Sequence, residues 1–214
     1  MSACKQSSPD NVSVIVLDFE TTGLSPNYGD RAIEIGAVLI ENNQVTDRFQ
    51  SLMNPGFRIN SFIESYTGIS NKMVKDAPPC KEVMEQFAEF IGDHPLVAHN
   101  ASFDGKFLDA EFNFIGKSRS NSMACSMLVA RRIYPDAPNY KLGTLVRYCN
   151  IPTGTFHRAL ADAEMTSHLW ISMIAEIREV FDISQVSFGL MQRLSKISRS
   201  KAPTYLKKFA DKNR

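Results

Sequence analysis

The 214-residue chain has no C-x-x-C pair, no uninterrupted apolar stretch long enough to span a bilayer, no internal repeat and no low-complexity tract. Its four cysteines, Cys4, Cys80, Cys125 and Cys149, are widely scattered, and no histidine sits at metal-ligand spacing from them. That argues against a disulfide framework or a structural zinc, and favours a reducing compartment. The opening MSACKQSSPDN is polar and lacks the apolar core of a signal peptide. The expectation is a cytoplasmic protein without a membrane partner.

An excess of charge of one sign is also missing, since the net charge is +1. That average hides an asymmetry. Residues 183–214 hold eight Lys/Arg against one acid, which leaves the first 182 residues acidic. The basic tail reads either as a solvated helical surface or as an electrostatic contact for nucleic acid or an acidic partner. Core-forming material is present in ordinary amount, with 43% hydrophobic and 22% charged residues. This suits one globular domain, alone or with an extension.

Along the chain, VSVIVLDF is rich in β-branched residues and reads as a central strand covered on both faces. RAIEIGAVLIE and QVTDRFQSLMNP flank Asn42-Asn43 and predict a hairpin. Ser70 is placed to cap a short helix, and KEVMEQFAEFIGD predicts a longer one with Val83, Phe87 and Phe90 on one face. PLVAH reads as a short buried strand. A helix follows from about Ala101, with Phe103, Phe107, Phe112 and Phe114 directed to the core. NSMACS is expected to be the last strand, followed by helices over MLVARRIYP and 141–149, the loop IPTGTF, and a long helix from about Arg158 to Val180. That last helix is expected to bury Leu160, Met165, Leu169, Ile171 and Ile174. Three strands followed by alternating strands and helices predict an α/β fold with a mixed sheet. The expected divisions are a disordered segment over 1–11, a domain over 12–182, and a basic helical extension over 183–214.

Chemistry-bearing residues cluster at three places. Asp18 and Glu20 are one residue apart at the C-terminal end of the first strand, so their side chains share a side. Asp104 follows His99-Asn100 early in a helix, where its simplest role is to complement the helix dipole. His157 leaves a Gly/Pro-containing loop five residues before Asp162. On a regular helix the two would point about 140° apart, so they converge only if His157 lies in the loop or at the first turn. Each signal is weak alone, and chance acids at strand ends are common. Together, four carboxylates can supply oxygen ligands to hard divalent ions. Two such ions can hold the attacking and leaving oxygens of a phosphodiester, with a histidine as base. A bound cation would explain why a buried strand ends in two acids.

The segments DFETTGL, HNASFD and HRALADAE, in this order and spacing, resemble the DEDDh 3′–5′ exonucleases, a group that includes the proofreading epsilon subunit of bacterial DNA polymerase III. The resemblance runs from about Val14 to Ala175 and takes in IEIGAV and ARRIYP. It implies a ribonuclease-H-like fold, a five-stranded mixed sheet flanked by helices. It also implies release of nucleoside monophosphates from a 3′ end with two Mg²⁺ or Mn²⁺ ions. By the same resemblance Asp18, Glu20, Asp104 and Asp162 are the metal carboxylates, with Asp18 shared by both ions, and His157 is the general base. Phe19, Thr21, Thr22 and Leu24 would line the terminal nucleotide's pocket, with Asn100 and Phe103 beside it; Phe103 reads equally well as core.

The middle segment departs from the epsilon pattern. Thr67 of YTGIS stands where close relatives of that subunit have a histidine, and Phe62 stands at a nearby acidic position. Both changes fall where substrate would be gripped. In the tail, QVSFGL (Gln185 to Leu190) resembles a bacterial sliding-clamp-binding motif, yet Val186, Leu190 and Leu194 also suit one face of an amphipathic helix. The last residues interleave cations with Tyr205 and Phe209, a composition that can bind single strands by charge and stacking and that equally suits a helix packed against the acidic body. The leading expectation is an exonuclease acting on a single-stranded 3′ end of DNA, in proofreading or repair, with a polymerase or clamp as partner through the tail. RNA or short oligoribonucleotides are the alternative substrates. A catalytically silent binding or assembly module is the alternative of another class.

Overall fold

The computed structural model describes residues 13–152 and 157–213, so segment 1–11 and most of the IPTGTF loop lie outside the described residues. Strand β1 (Val14–Thr21) occupies the middle of a five-stranded sheet, with almost every residue buried, as its β-branched composition requires. The other strands are β2 (Ala32–Glu41), β3 (Gln44–Leu52), β4 (Leu96–Ala98) and β5 (Met123–Cys125), and the spatial order is β3-β2-β1-β4-β5. β2 is antiparallel to β1 and β3, whereas β4 and β5 run parallel to β1 and each other. The sheet is therefore mixed, as expected. The two-residue turn Asn42-Asn43 has φ of 52° and 60°. Both residues are left-handed, which a type I′ hairpin turn needs and asparagine tolerates.

Alternation along β1 divides the core in two. Ile15, Leu17 and Phe19 join Phe87 of α3 (Cys80–Ile91) and Phe107 and Phe112 of α4 (Ala101–Phe114) on one face. Val14 and Val16 meet the other face's cluster, built on α5 (Ser126–Ile133), α6 (Leu142–Tyr148) and α7 (Ala159–Phe181), with Trp170 and Met173 fully covered. Two short helices, α1 (Ser61–Thr67) and α2 (Asn71–Lys75), cover β2's end through Ile33, Ile59, Ile63, Ile69 and Val74. Ser70 caps α2 as expected, its hydroxyl accepting from the Met73 amide at 3.2 Å.

The tail folds into α8 (Phe188–Lys196) and α9 (Ala202–Lys212), and both contribute to the α7-side core through Leu190, Met191, Leu194, Ala202, Leu206 and Ala210. Within the clamp-like stretch Leu190 is buried, and Val186 and Phe188 pack against the same cluster. The amphipathic reading of this segment thus accounts for its apolar residues. Phe114 differs from expectation: it is 64% exposed rather than in the core, and the Arg31 guanidinium sits 4.1 Å over its ring. Leu160 and Ile171 are only half-buried. Among the described residues no helix is long and apolar enough to cross a membrane.

Candidate active site

Asp18 and Glu20 fall on the α7 face of β1, and register sets their neighbours. Asp18 lies opposite Gly36 and Glu20 opposite Glu34 on β2. A β-carbon on Gly36 would lie 2.1 Å from the Leu160 nitrogen and 2.3 Å from the Ala159 carbonyl carbon. Only glycine admits so close an approach, so the first turn of α7 rests directly on β2 and carries Asp162 to the strand's two acids. Glu34 fixes that docking. It is wholly buried and accepts from the Ala159 amide at 3.1 Å, Arg158 Nη2 at 2.7 Å and Gln50 Nε2 at 2.9 Å. A carboxylate here satisfies an otherwise orphaned donor at the helix start.

Asp104 enters from the first turn of α4, 2% exposed, and accepts from the Phe19 amide at 3.3 Å. Residue 157 stands outside α7 with φ of 63°. Its backbone N–H donates to Asp162 Oδ2 at 3.0 Å, a short link that turns the imidazole toward the acids. Ligand atoms of Glu20, His157 and Asp162 all lie within 4.8 Å of one another. The loop position of His157, needed for convergence with Asp162, is what the structure has. The Tyr66 ring packs on His157 with centroids 4.3 Å apart, and Phe62 stacks on Tyr66 at 5.9 Å.

Crowding of acids dominates the electrostatics. Burial, then repulsion from Asp104, Asp162, Glu20 and Glu34, raises the Asp18 pKa well above the carboxylate range. Burial first, with Asp162 and Glu34 adding and Arg158 opposing, pushes Glu20 up to about 8. Asp104 rises to about 7 through burial, against the hydrogen bonds it accepts. Burial also raises Asp162, partly offset by the His157 amide. Four carboxylates each poised against ionisation fit a site for added positive charge. The donor set of carboxylate oxygens and one imidazole, without thiolate, suits hard divalent ions.

A hollow of about 640 Å³ opens beside these groups, lined by Thr21, Thr22, Leu24, Phe62, Tyr66 and Phe103 among others. Leu24 stands 81% exposed at its rim. The threonine hydroxyls build the turn: Thr21 donates to the Gly23 carbonyl at 2.6 Å, and Thr22 accepts from the Arg31 amide at 3.0 Å. Phe103 both lines the hollow and packs on Phe107, so its two readings hold together. Phe19 also borders the hollow, while its side chain is buried in the core and its amide donates to Asp104. Asn100 lies outside this hollow, in a neighbouring one beside His99 and Arg131. Thr67 is buried, its hydroxyl donating to the Ile63 carbonyl and accepting from the Ile69 amide, so it ties off α1 while bordering the hollow. Glu34, Gly36, Arg158 and Tyr66 are not singled out as site residues in the sequence reading. The one signal for the first was an acid inside an apolar strand.

A family model for exonucleases of the RNase T type matches residues 15–169. The chain belongs to this exonuclease family. It is 39% identical over 193 residues to the DNA polymerase III PolC-type of Caldanaerobacter subterraneus subsp. tengcongensis, covering 89% of this chain and 14% of that protein. It is also 39% identical over 166 residues to the DNA polymerase III PolC-type of Bacillus cereus, covering 77% and 12% respectively. The chain therefore spans only 12–14% of the length of these curated relatives. Among solved structures, Exonuclease X in complex with 5′ overhanging duplex DNA superposes with a TM-score of 0.68 at 24% identity, over 85% of this chain and 99% of that one. The nuclease domain of 3′hExo, a DEDDh family member bound to rAMP, gives 0.67 at 19% identity, over 78% and 93%. The resemblance to DEDDh exonucleases and the ribonuclease-H-like sheet read from the sequence are both borne out.

Proposed function

We propose that this domain is a metal-dependent 3′–5′ exonuclease releasing nucleoside monophosphates from DNA ends. The observation that supports it best is that Asp18 and Glu20 of β1, Asp162 of α7 and His157 just before that helix border one hollow, with Asp104 of α4 close behind Asp18. The four carboxylates would hold divalent ions, Mg²⁺ or Mn²⁺. Bound there, such ions would supply positive charge for the attacking and leaving oxygens of a phosphodiester. His157 takes the proton of the attacking water on its exposed imidazole, held in place by its own amide's bond to Asp162 and by the Tyr66 ring. The bond from phosphorus to the neighbouring nucleotide's 3′ oxygen breaks, freeing a nucleoside 5′-monophosphate. Leu24, Phe62 and Phe103 present apolar surface for the terminal nucleoside, and Phe62 replaces charge with a stacking face.

A DNA substrate and a role in proofreading draw on the PolC-type relatives, which are DNA polymerases by name. The buried Leu190 does not favour a sliding clamp at Gln185–Leu190. A silent binding module is disfavoured because every one of the five positions carries a competent group. The deciding experiment uses DNA and RNA strands of one sequence, labelled on the 3′-terminal nucleotide, with Mn²⁺. A labelled nucleoside 5′-monophosphate as first product, released faster from DNA, is expected. Release of longer fragments first, or faster release from RNA, would overturn the polarity or the substrate respectively.

A further inference from the structure

The carboxylates have a second opening. Asp18, Tyr66, His157 and Asp162 also border a hollow of about 570 Å³ whose far wall includes Lys141, Thr144 and Arg147. Its residues His99 and Lys141 are shared with a third hollow of about 500 Å³ that extends to Arg131 and Tyr140. The two sides of the site differ in character. Among the described residues no lysine or arginine lines the 640 Å³ hollow, and Leu24, Phe62, Ile63 and Phe103 do. Among the described residues the other side carries three cations and no carboxylate beyond Asp18 and Asp162.

These cations are available, and their backbone is held still. Lys141 and Arg147 are exposed, and among the described residues neither forms an ion pair. Arg131 lies 5.6 Å over the Tyr140 ring, whose hydroxyl donates to the Tyr134 carbonyl at 3.0 Å. The His99 ring bridges Ser126 Oγ and the Tyr140 carbonyl, each at 2.9 Å. Because a carbonyl only accepts, Nε2 carries the proton and Nδ1 accepts from Ser126. Asn139 Oδ1 accepts from the Lys141 amide at 3.0 Å, pinning the same segment.

A strand cleaved one nucleotide from its end must cross the carboxylates once, with the terminal nucleoside on one side and the rest of the chain on the other. The apolar hollow suits the nucleoside, and the polyanion needs the cations. The geometry points to a track for the strand upstream of the scissile phosphate, in which Lys141 and Arg147 hold the adjoining backbone phosphates and Arg131 with Tyr140 carries the path onward. This rests on the exonuclease reading and assigns it a direction.

The test compares two substrates in Mn²⁺: a 5′-labelled decathymidylate, and the p-nitrophenyl ester of thymidine 5′-monophosphate, which has a terminal nucleotide and no strand. For the double variant Lys141→Ala/Arg147→Ala, the ratio of kcat/KM on the strand to that on the ester should fall about tenfold, mostly through KM. The slope of log KM against log salt on the strand should shrink by about 1.4, roughly 0.7 for each lost phosphate contact. The charge-conserving variant Lys141→Arg/Arg147→Lys should retain most of the slope. An unchanged ratio and slope would overturn the track, and so would an equal loss on both substrates, which would place these residues' effect at the carboxylates instead. Failure of the wild type on both substrates would refute the exonuclease reading itself, and the track with it.

Discussion

Removing divalent ions should make this protein's stability fall as pH rises, and Glu20→Gln should remove much of that fall. Glu20 titrates near 8 in the folded protein, against an ordinary value of 4.5 in an unfolded chain. Below 4.5 the group is protonated in both states and contributes nothing. Between the two values the native state keeps a proton that the unfolded chain has released, so each step up in pH favours unfolding. At about 1.4 kcal/mol per pH unit, the full cost above pH 8 is on the order of 5 kcal/mol. About 2 kcal/mol of it appears between pH 6.5 and 8.5. Asp18, Asp104 and Asp162 are raised too and act in the same direction. His99, lowered by burial, acts the other way, but only below its ordinary value of 6.5. The window from 6.5 to 8.5 is therefore dominated by the carboxylates, the buried thiols of Cys80 and Cys149, raised from 9.0, adding in the same direction only near its upper end. The assay is urea unfolding in EDTA across that window, for wild type and Glu20→Gln. At pH 8.5 the variant should be the more stable by a few kcal/mol, and adding Mn²⁺ should stabilise the wild type more than the variant. A wild-type stability that is level or rising with pH in EDTA would refute the reasoning.

Other consequences are local. His157→Ala should lower kcat by roughly 10²–10⁴-fold while leaving Mn²⁺-dependent strand binding measurable by anisotropy; near-normal turnover would remove it as the base. Gly36→Ala forces a β-carbon into the backbone of α7. It should cost about 1–3 kcal/mol of stability and reduce turnover by shifting Asp162; full activity at unchanged stability would contradict the docking role of this contact. Phe62→Ala removes the outer ring of the Phe62–Tyr66–His157 series. Steady-state kinetics should show KM raised about 5- to 100-fold, the equivalent of losing one base–aromatic stack, and an unchanged KM would place the terminal base elsewhere.

Most of the fold was legible because its signals are local. The β-branched run of β1, the Asn42-Asn43 turn and the Ser70 cap each declare themselves within a few residues. Helix α1 did not, because it buries only Ile63 and Thr67 and exposes Phe62 and Tyr66, which leaves little apolar periodicity to read. Phe114 looked like core on a helix rich in phenylalanine, but its ring is a seat for Arg31, itself held by Glu111 at 2.7 Å from a distant part of the chain. The five candidate catalytic groups were legible only as a set, and with the help of a resemblance. What the sequence withheld is the apparatus beneath them. Glu34 and Gly36 matter because register places them opposite Glu20 and Asp18 and under α7, a relation that no spacing within one segment reveals. Asn100 belongs to the matched motif HNASFD but borders another hollow, at the left-handed N-cap of α4 (φ of 77°).

The measurement that bears most directly on a four-carboxylate exonuclease is a gel time course with 5′-labelled single-stranded DNA in Mg²⁺, Mn²⁺ or EDTA, run with wild type and Asp18→Ala. The expected result is a ladder shortening one nucleotide at a time from the 3′ end with either metal, absent in EDTA and absent in the variant. Shortening that persists in EDTA or in Asp18→Ala would contradict the account.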